Sequence, residues 1–218
     1  MAQLSDLIQD SKLETKFLPG ETVHTYHEPD PTSGQRLVSR SEHWQRQREI
    51  GGGGFGTVWL EKCTKGGNRD IEVRAIKEIK IARQINYYRE LEAIAKFSHR
   101  KVWFHQLIPL IVRFVDTMKY ERCFVKSFGW YEGPERPRPE HLFIAMEYLE
   151  LGDLKMYLNK NPALPEHEAR EITFQILDGL SLMHGNRFTH RDLKPNVRLF
   201  FAPVTLLRVS FLILHFEF

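Results

Sequence analysis

A glycine run with a strand pattern on either side limits this chain's fold more than any other feature. Gly51-Gly-Gly-Gly-Phe-Gly-Thr-Val58 follows Trp44, Arg46, Arg48 and Ile50 and leads straight into Thr57-Val-Trp-Leu60. Glycines let a backbone approach phosphate groups with its N–H donors exposed and no side chain in the way. A dinucleotide-binding fold needs a helix directly after the last glycine. Here β-branched and aromatic residues follow, which favour a strand. The run therefore reads as the turn of an antiparallel hairpin and argues against a dinucleotide fold. On its own, such a turn is as often a structural feature as a ligand site.

The neighbouring pattern extends the hairpin into a small sheet. Ile71-Glu-Val-Arg-Ala-Ile-Lys-Glu-Ile79 is a second β-rich run, separated from the first by Lys65-Gly-Gly-Asn68. Residues 83–97 show helical spacing through Leu91, Ile94, Ala95 and Phe97. Two further strands are expected, Cys123 to Tyr131 and His141 to Leu149, with Glu132 to Pro139 between them as an exposed loop. Beyond Gly152 the pattern turns helical. Asp153 suits the N-cap of a short helix, Leu154 to Lys160. Pro165 suits the first position of a longer one, whose apolar stripe is Ile172, Ile176, Leu180 and Met183 and whose stop is Gly185-Asn186. The expected class is α+β in two lobes: five antiparallel strands with one helix inserted (44–149), then the start of a helical lobe (150–196). Residues 1–43 are polar, with a cluster of turn formers from His27 to Gly34, and are expected to be a mostly disordered tail with a short helix at Leu4 to Leu13.

Composition narrows the function. The formal charge of +3 is small, and the lysines and arginines are scattered, so a nucleic-acid partner is not indicated. Two cysteines, Cys63 and Cys123, are too few for a disulfide framework. They fit a cytoplasmic or nuclear protein with reduced thiols. The start, MAQLSDLIQD, lacks the basic and apolar regions of a secretory signal.

Three residues carry candidate chemistry. Lys77 ends the strand Val73-Arg-Ala-Ile-Lys77, about twenty residues after the glycine turn. A lone lysine usually points to solvent, but one placed there can reach nucleotide phosphates and then needs a carboxylate to hold it. Glu90 on the following helix is preferred, because it leaves the apolar residues of that helix facing inward; Glu92 and Glu78 are alternatives. Asp192 sits in His190-Arg-Asp-Leu-Lys-Pro195, the most specific string in the chain. An aspartate held on such a scaffold can accept a hydroxyl proton.

Together these strings resemble the eukaryotic protein kinase family over about residues 44–196, in the family's order: glycine loop, VRAIK, helix glutamate, MEYLELGDL, HRDLKP. The lysine two places after Asp192 is similar to the serine/threonine branch. The resemblance implies ATP and Mg2+ as cofactors and a protein hydroxyl as acceptor. It implies that Ile50, Gly51, Gly52, Gly53, Gly54, Phe55 and Gly56 cover the nucleotide, and that Val58 and Ala75 sandwich the adenine. Lys77 would bind phosphates and Glu90 would pair with it. Met146 would be the gatekeeper, with Glu147 and Leu149 offering backbone hydrogen bonds to the adenine and Asp153 meeting the ribose. Asp192 would be the catalytic base, and Lys194 would steady the γ-phosphate.

The pattern then breaks. The family places a metal-binding asparagine two residues after the proline; here Asn196 comes one place early and Val197 holds that position. No DFG or APE string occurs. Neither magnesium ligand is therefore expected, and the chain as it stands is expected to be inactive, a pseudokinase-like binding or scaffold module, or a product that does not fold. The stripe on the long helix is expected to face helices that these residues do not encode. Two segments fit no family spacing, 102–119 and the hydrophobic tail 197–218. Both begin with valine, whose codons begin GU, and the first ends in lysine, one of whose codons ends in AG. Translated introns are the expectation for both. The tail approaches the length of a membrane span, but Pro203, Arg208, His215 and Glu217 interrupt it, so a membrane anchor is the minor reading.

Overall fold

The structure is a computed structural model that describes residues 6–29, 37–53, 56–67, 71–81, 87–97, 123–135, 137–150, 152–190, 193–194, 198–201 and 207–210. The segment 102–119 lies outside the described residues. The chain divides into two compact units, Met1–Tyr87 with Ser127–Tyr148, and Tyr88–Lys126 with Leu149–Phe218.

The first unit is built on one sheet. After helix α1 (Asp6–Asp10) come β1 (Glu14–Leu18), β2 (Glu21–Pro29), β3 (Leu37–Gly53), β4 (Gly56–Lys65) and β5 (Val73–Lys80), with β6 (Ser127–Glu132) and β7 (His141–Glu147) later in the chain. Their order across the sheet is β1-β2-β3-β4-β5-β7-β6, with every neighbouring pair antiparallel. The α+β class holds, and the hairpin expected around the glycine run is β3–β4.

The N-terminal region requires a correction. Residues 6–29 are α1, β1 and β2 rather than a disordered tail, and β3 begins at Leu37, not near Trp44. The sheet therefore has seven strands instead of five. A Pro19-Gly20 turn joins β1 to β2, with Gly20 at φ 79 as such a turn requires. That dipeptide was the available signal. It was masked because the inward-facing positions include Thr15 and His24, which polar-out reasoning assigns to solvent.

The same segment closes the sheet. Lys12, just ahead of β1, forms a parallel bridge to Trp130 on β6, at the opposite edge. Leu13 N donates to Trp130 O at 2.8 Å, and Trp130 N donates to Ser11 O at 3.1 Å. The Trp130 indole donates to Ile8 O at 2.9 Å, anchoring α1. Gly129, at φ 125, makes this approach possible: a Cβ there would lie 2.6 Å from Ser11 O and 2.8 Å from Leu13 Cγ. Closure satisfies edge groups of β6 that would otherwise be free to pair elsewhere.

The second unit contains α2 (Tyr88–Phe97), α3 (Leu154–Lys160), α4 (Glu166–Gly185) and a two-stranded hairpin, β8 (Arg198–Phe201) with β9 (Leu207–Ser210). The hairpin lies in the hydrophobic tail, 197–218. Asp153 caps α3 as expected, its Oδ1 accepting from Met156 N at 2.8 Å. Pro165 is the N-cap of α4 rather than its first helical residue. Ala93, Phe97, Cys123, Phe124, Leu154, Ile172 and Met183 form the core, with Ile176 and Leu180 packed against it. Two residues of the α4 stripe, Ile172 and Met183, are thus buried within this unit, and Ile176 and Leu180 are partly buried there, so the expectation of an uncovered stripe is corrected in part. The apolar side chains left open on α4 are Phe174 and Leu177, 65% and 59% exposed. At 3.6 residues per turn Phe174 sits roughly opposite the stripe, and Leu177 lies nearer its flank. Among the described residues, no helix is long and apolar enough to cross a membrane.

Candidate nucleotide site

Strand register assembles one face of the first unit. Val58, Lys77 and Ile144 are partners across β4, β5 and β7, and Leu60, Ala75 and Met146 form the next row. Cross-strand partners project to the same side of a sheet. Val58, Ala75, Lys77 and Met146 therefore share a face, with a cation at one end of an apolar strip. Ala75, Lys77 and Met146 are buried.

The glycines at the turn have separate roles. Gly51, Gly52 and Gly53 pair with Val58, Thr57 and Gly56, which carries the hairpin to its tip; Ile50 precedes them on β3, and Gly54 and Phe55 lie outside the described residues. A Cβ at Gly53 would meet nothing within 4 Å, so its backbone is open to a ligand. Gly56 serves the fold. At φ 119, a Cβ there would sit 2.1 Å from Glu78 O on β5.

Burial and partners separate the three carboxylates considered for Lys77. Glu78 belongs to the opposite face, where it accepts from the Trp59 indole at 2.8 Å and from Arg46 at 3.2 Å. Glu92 is exposed, and Glu90 is buried on α2. Lys77 belongs to the first unit and Glu90 to the second. Glu147 ends β7. In the second unit Leu149 is buried, and Asp153 commits Oδ1 to its cap. Further along, His190 is buried and Lys194 exposed, while Asp192 lies outside the described residues.

The reverse face of β5 carries a buried ionic network that sequence reasoning missed. Arg74 is fully buried, and its Nε and Nη2 donate to Glu61 Oε2 at 3.0 and 2.7 Å. Nη2 also meets His24 Nε2 at 2.8 Å. The guanidinium lies 4.1 Å from the centre of the Trp44 ring, and the Trp44 indole donates to Glu42 at 3.1 Å. His24 packs on Tyr131, with ring centres 4.9 Å apart. Burial, and then the Arg74 charge, hold the His24 imidazole down from 6.5 to about 2. Burial, with the Glu61 carboxylate adding to it, pushes the Tyr131 phenol well above its ordinary range. The available signal was Arg74 itself, an arginine between Val73 and Ala75 on the face opposite Lys77.

The protein kinase domain family matches residues 44–201. The chain is 31% identical over 153 residues to the serine/threonine-protein kinase ATG1b of Arabidopsis thaliana, covering 68% of this chain and 17% of that protein. It is 30% identical over 154 residues to the probable serine/threonine-protein kinase PknB of Lactococcus lactis, covering 68% and 20%. It is 31% identical over 159 residues to the serine/threonine-protein kinase SSK22 of Saccharomyces cerevisiae, covering 73% and 10%. The chain thus spans a fifth or less of these relatives.

Proposed function

This chain belongs to the protein kinase family, and from that premise we propose that its first unit supplies the nucleotide-binding sheet of a serine/threonine kinase site. One observation carries the reading: Val58, Ala75, Met146 and Lys77 share one face by register, and the glycine run that leads into Val58 is open at Gly53. The apolar strip suits an adenine ring. The Lys77 ammonium suits phosphate oxygens, and the turn offers N–H donors without a side-chain barrier. In the family, ATP supplies the γ-phosphoryl group, and the acceptor is a serine or threonine hydroxyl on a protein partner. Within this reading Glu147 meets the adenine edge, and the family's pattern gives Glu90, Leu149, Asp153, Asp192 and Lys194 the roles stated for them above.

Magnesium fits these residues poorly. The Val197 side chain has no oxygen to offer where the family has its asparagine, and no DFG occurs in the sequence. For these 218 residues the proposal is therefore nucleotide binding without phosphoryl transfer. We propose the cytosol or nucleus as its location, where Cys63 and Cys123, which form no disulfide, stay reduced.

Thermal melting with increasing ATP tests the binding half. At a hundred times the Kd, a ligand that binds only the folded state adds about 2.7 kcal/mol. The transition should move upward with ATP, and Lys77→Met should remove most of the movement. An unaltered chain that melts cooperatively without responding to ATP would sink the reading. Phosphate transfer from radiolabelled ATP to protein, lost in Asp192→Asn, would overturn the second half.

A further inference from the structure

Resting on the nucleotide-binding reading above, we propose that Arg74 and His24 are positioning residues that tie the N-terminal segment to β5 and thereby set the place of Ala75 and Lys77. The hydrogen bonds between them have only one possible direction. Arginine donates and never accepts, so His24 Nε2 must accept from Arg74 Nη2 at 2.8 Å. A neutral imidazole then carries its proton on Nδ1, which donates to Thr15 Oγ1 at 2.9 Å. The Thr15 hydroxyl is left with its own proton, which it gives to Leu13 O at 3.0 Å. Leu13 N in turn donates to Trp130 O at 2.8 Å. This relay starts on β5, passes through β2 and β1, and ends at the seam where the sheet closes on β6.

The relay enters β5 at the residue next to Ala75 and three before Lys77. Arg74 is also held by Glu61 on β4 and by the Trp44 ring on β3. Its position is therefore shared among four strands. Close-packed interiors transmit such constraints, because neighbouring side chains have no free volume in which to absorb a shift. The N-terminal segment, outside the 44–201 family match, becomes a working part of the sheet face that carries the lysine.

The test uses the whole chain and cuts the relay at its mildest link. Arg74→Met would leave Glu61 buried and unpaired, so Thr15→Val is preferred: it keeps the shape and removes the hydroxyl. Thr15→Ser keeps the hydroxyl. His27→Ala is the control, because it removes the exposed His27–Glu14 pair of the same hairpin without touching the relay. Two readouts are taken, amide hydrogen exchange at residues 75–77 and binding of a fluorescent ATP analogue. A net hydrogen bond is worth about a fivefold change in an equilibrium. Thr15→Val should accelerate exchange on β5 and weaken the analogue by about that factor, Thr15→Ser should restore both, and His27→Ala should leave both alone. Changes confined to β1 and β2, or equal effects from His27→Ala, overturn the proposal. If the unaltered chain binds no analogue, the nucleotide-binding reading falls, and exchange at residues 75–77 alone decides the positioning role.

Discussion

The two units differ in what their best-packed clusters contain. The second packs Ala93, Phe97, Phe124, Leu154, Ile172 and Met183 around Cys123, a core held by contacts without direction. The first also has an apolar cluster, Ile76, Tyr131, Phe143 and Ala145, but encloses beside it an arginine, a glutamate and a neutral histidine whose bonds run in fixed directions. An apolar core tolerates exchange of side chains of similar volume. A buried ionic network tolerates only changes that keep every charge matched, because an orphaned charge loses its partner without regaining water. The first unit should therefore be the brittle one, although its site face resembles any half-apolar strand.

Glu61→Ala should produce the largest effect. It strands the Arg74 guanidinium and should cost about 3–5 kcal/mol. Glu61→Leu combined with Arg74→Met should recover most of that loss. Urea unfolding followed by tryptophan fluorescence reads this unit well, since Trp44, Trp59 and Trp130 all belong to it. A double variant as unstable as Glu61→Ala would show that the network contributes more than charge matching.

In the second unit the same scale of loss needs a cavity. Met183→Ala should cost about 2–5 kcal/mol, whereas Met183→Leu should cost less than about 1.5 kcal/mol. Circular dichroism at 222 nm follows the helices. A large loss in Met183→Leu would place this core among the directional ones and erase the contrast.

The smallest effect is a pH slope. The folded-state pKa of His24 is depressed to about 2 from 6.5, so unfolding takes up a proton between those values. The stability that neutral His24 contributes is whole above about pH 6.5 and drains away as pH falls, by at most about 1.4 kcal/mol per pH unit. The groups facing the ring are Arg74, Thr15 and Tyr131. Between pH 7 and 5, unfolding curves of the unaltered chain should therefore shift more than those of His24→Gln. Parallel shifts would mean that His24 is protonated in the folded protein.

Much of the second unit was legible in advance because its signals are local. A cap at Asp153, a stripe through Ile172 and Met183, and a stop at Gly185-Asn186 are set by neighbours within one or two helical turns. The glycine hairpin was legible for the same reason, since it depends on what adjoins Gly56. The β1–β2 hairpin was missed despite its Pro19-Gly20 turn, because Thr15 and His24 look like surface residues until something buried is found for them to bond.

Sequence alone determined the α+β class, the family strings from Gly51 to Pro195, and the alternation that gives β5 two distinct faces. Period two cannot say which face meets a ligand and which is enclosed, because both alternate equally well. The tertiary structure decided that, through the pairing of Lys12 with Trp130. That contact joins residues more than a hundred apart in the chain, and it requires Gly129 to have no side chain. Once the seam is closed, Arg74 has no water to reach, and Glu61 and His24 become the partners that make its burial tolerable.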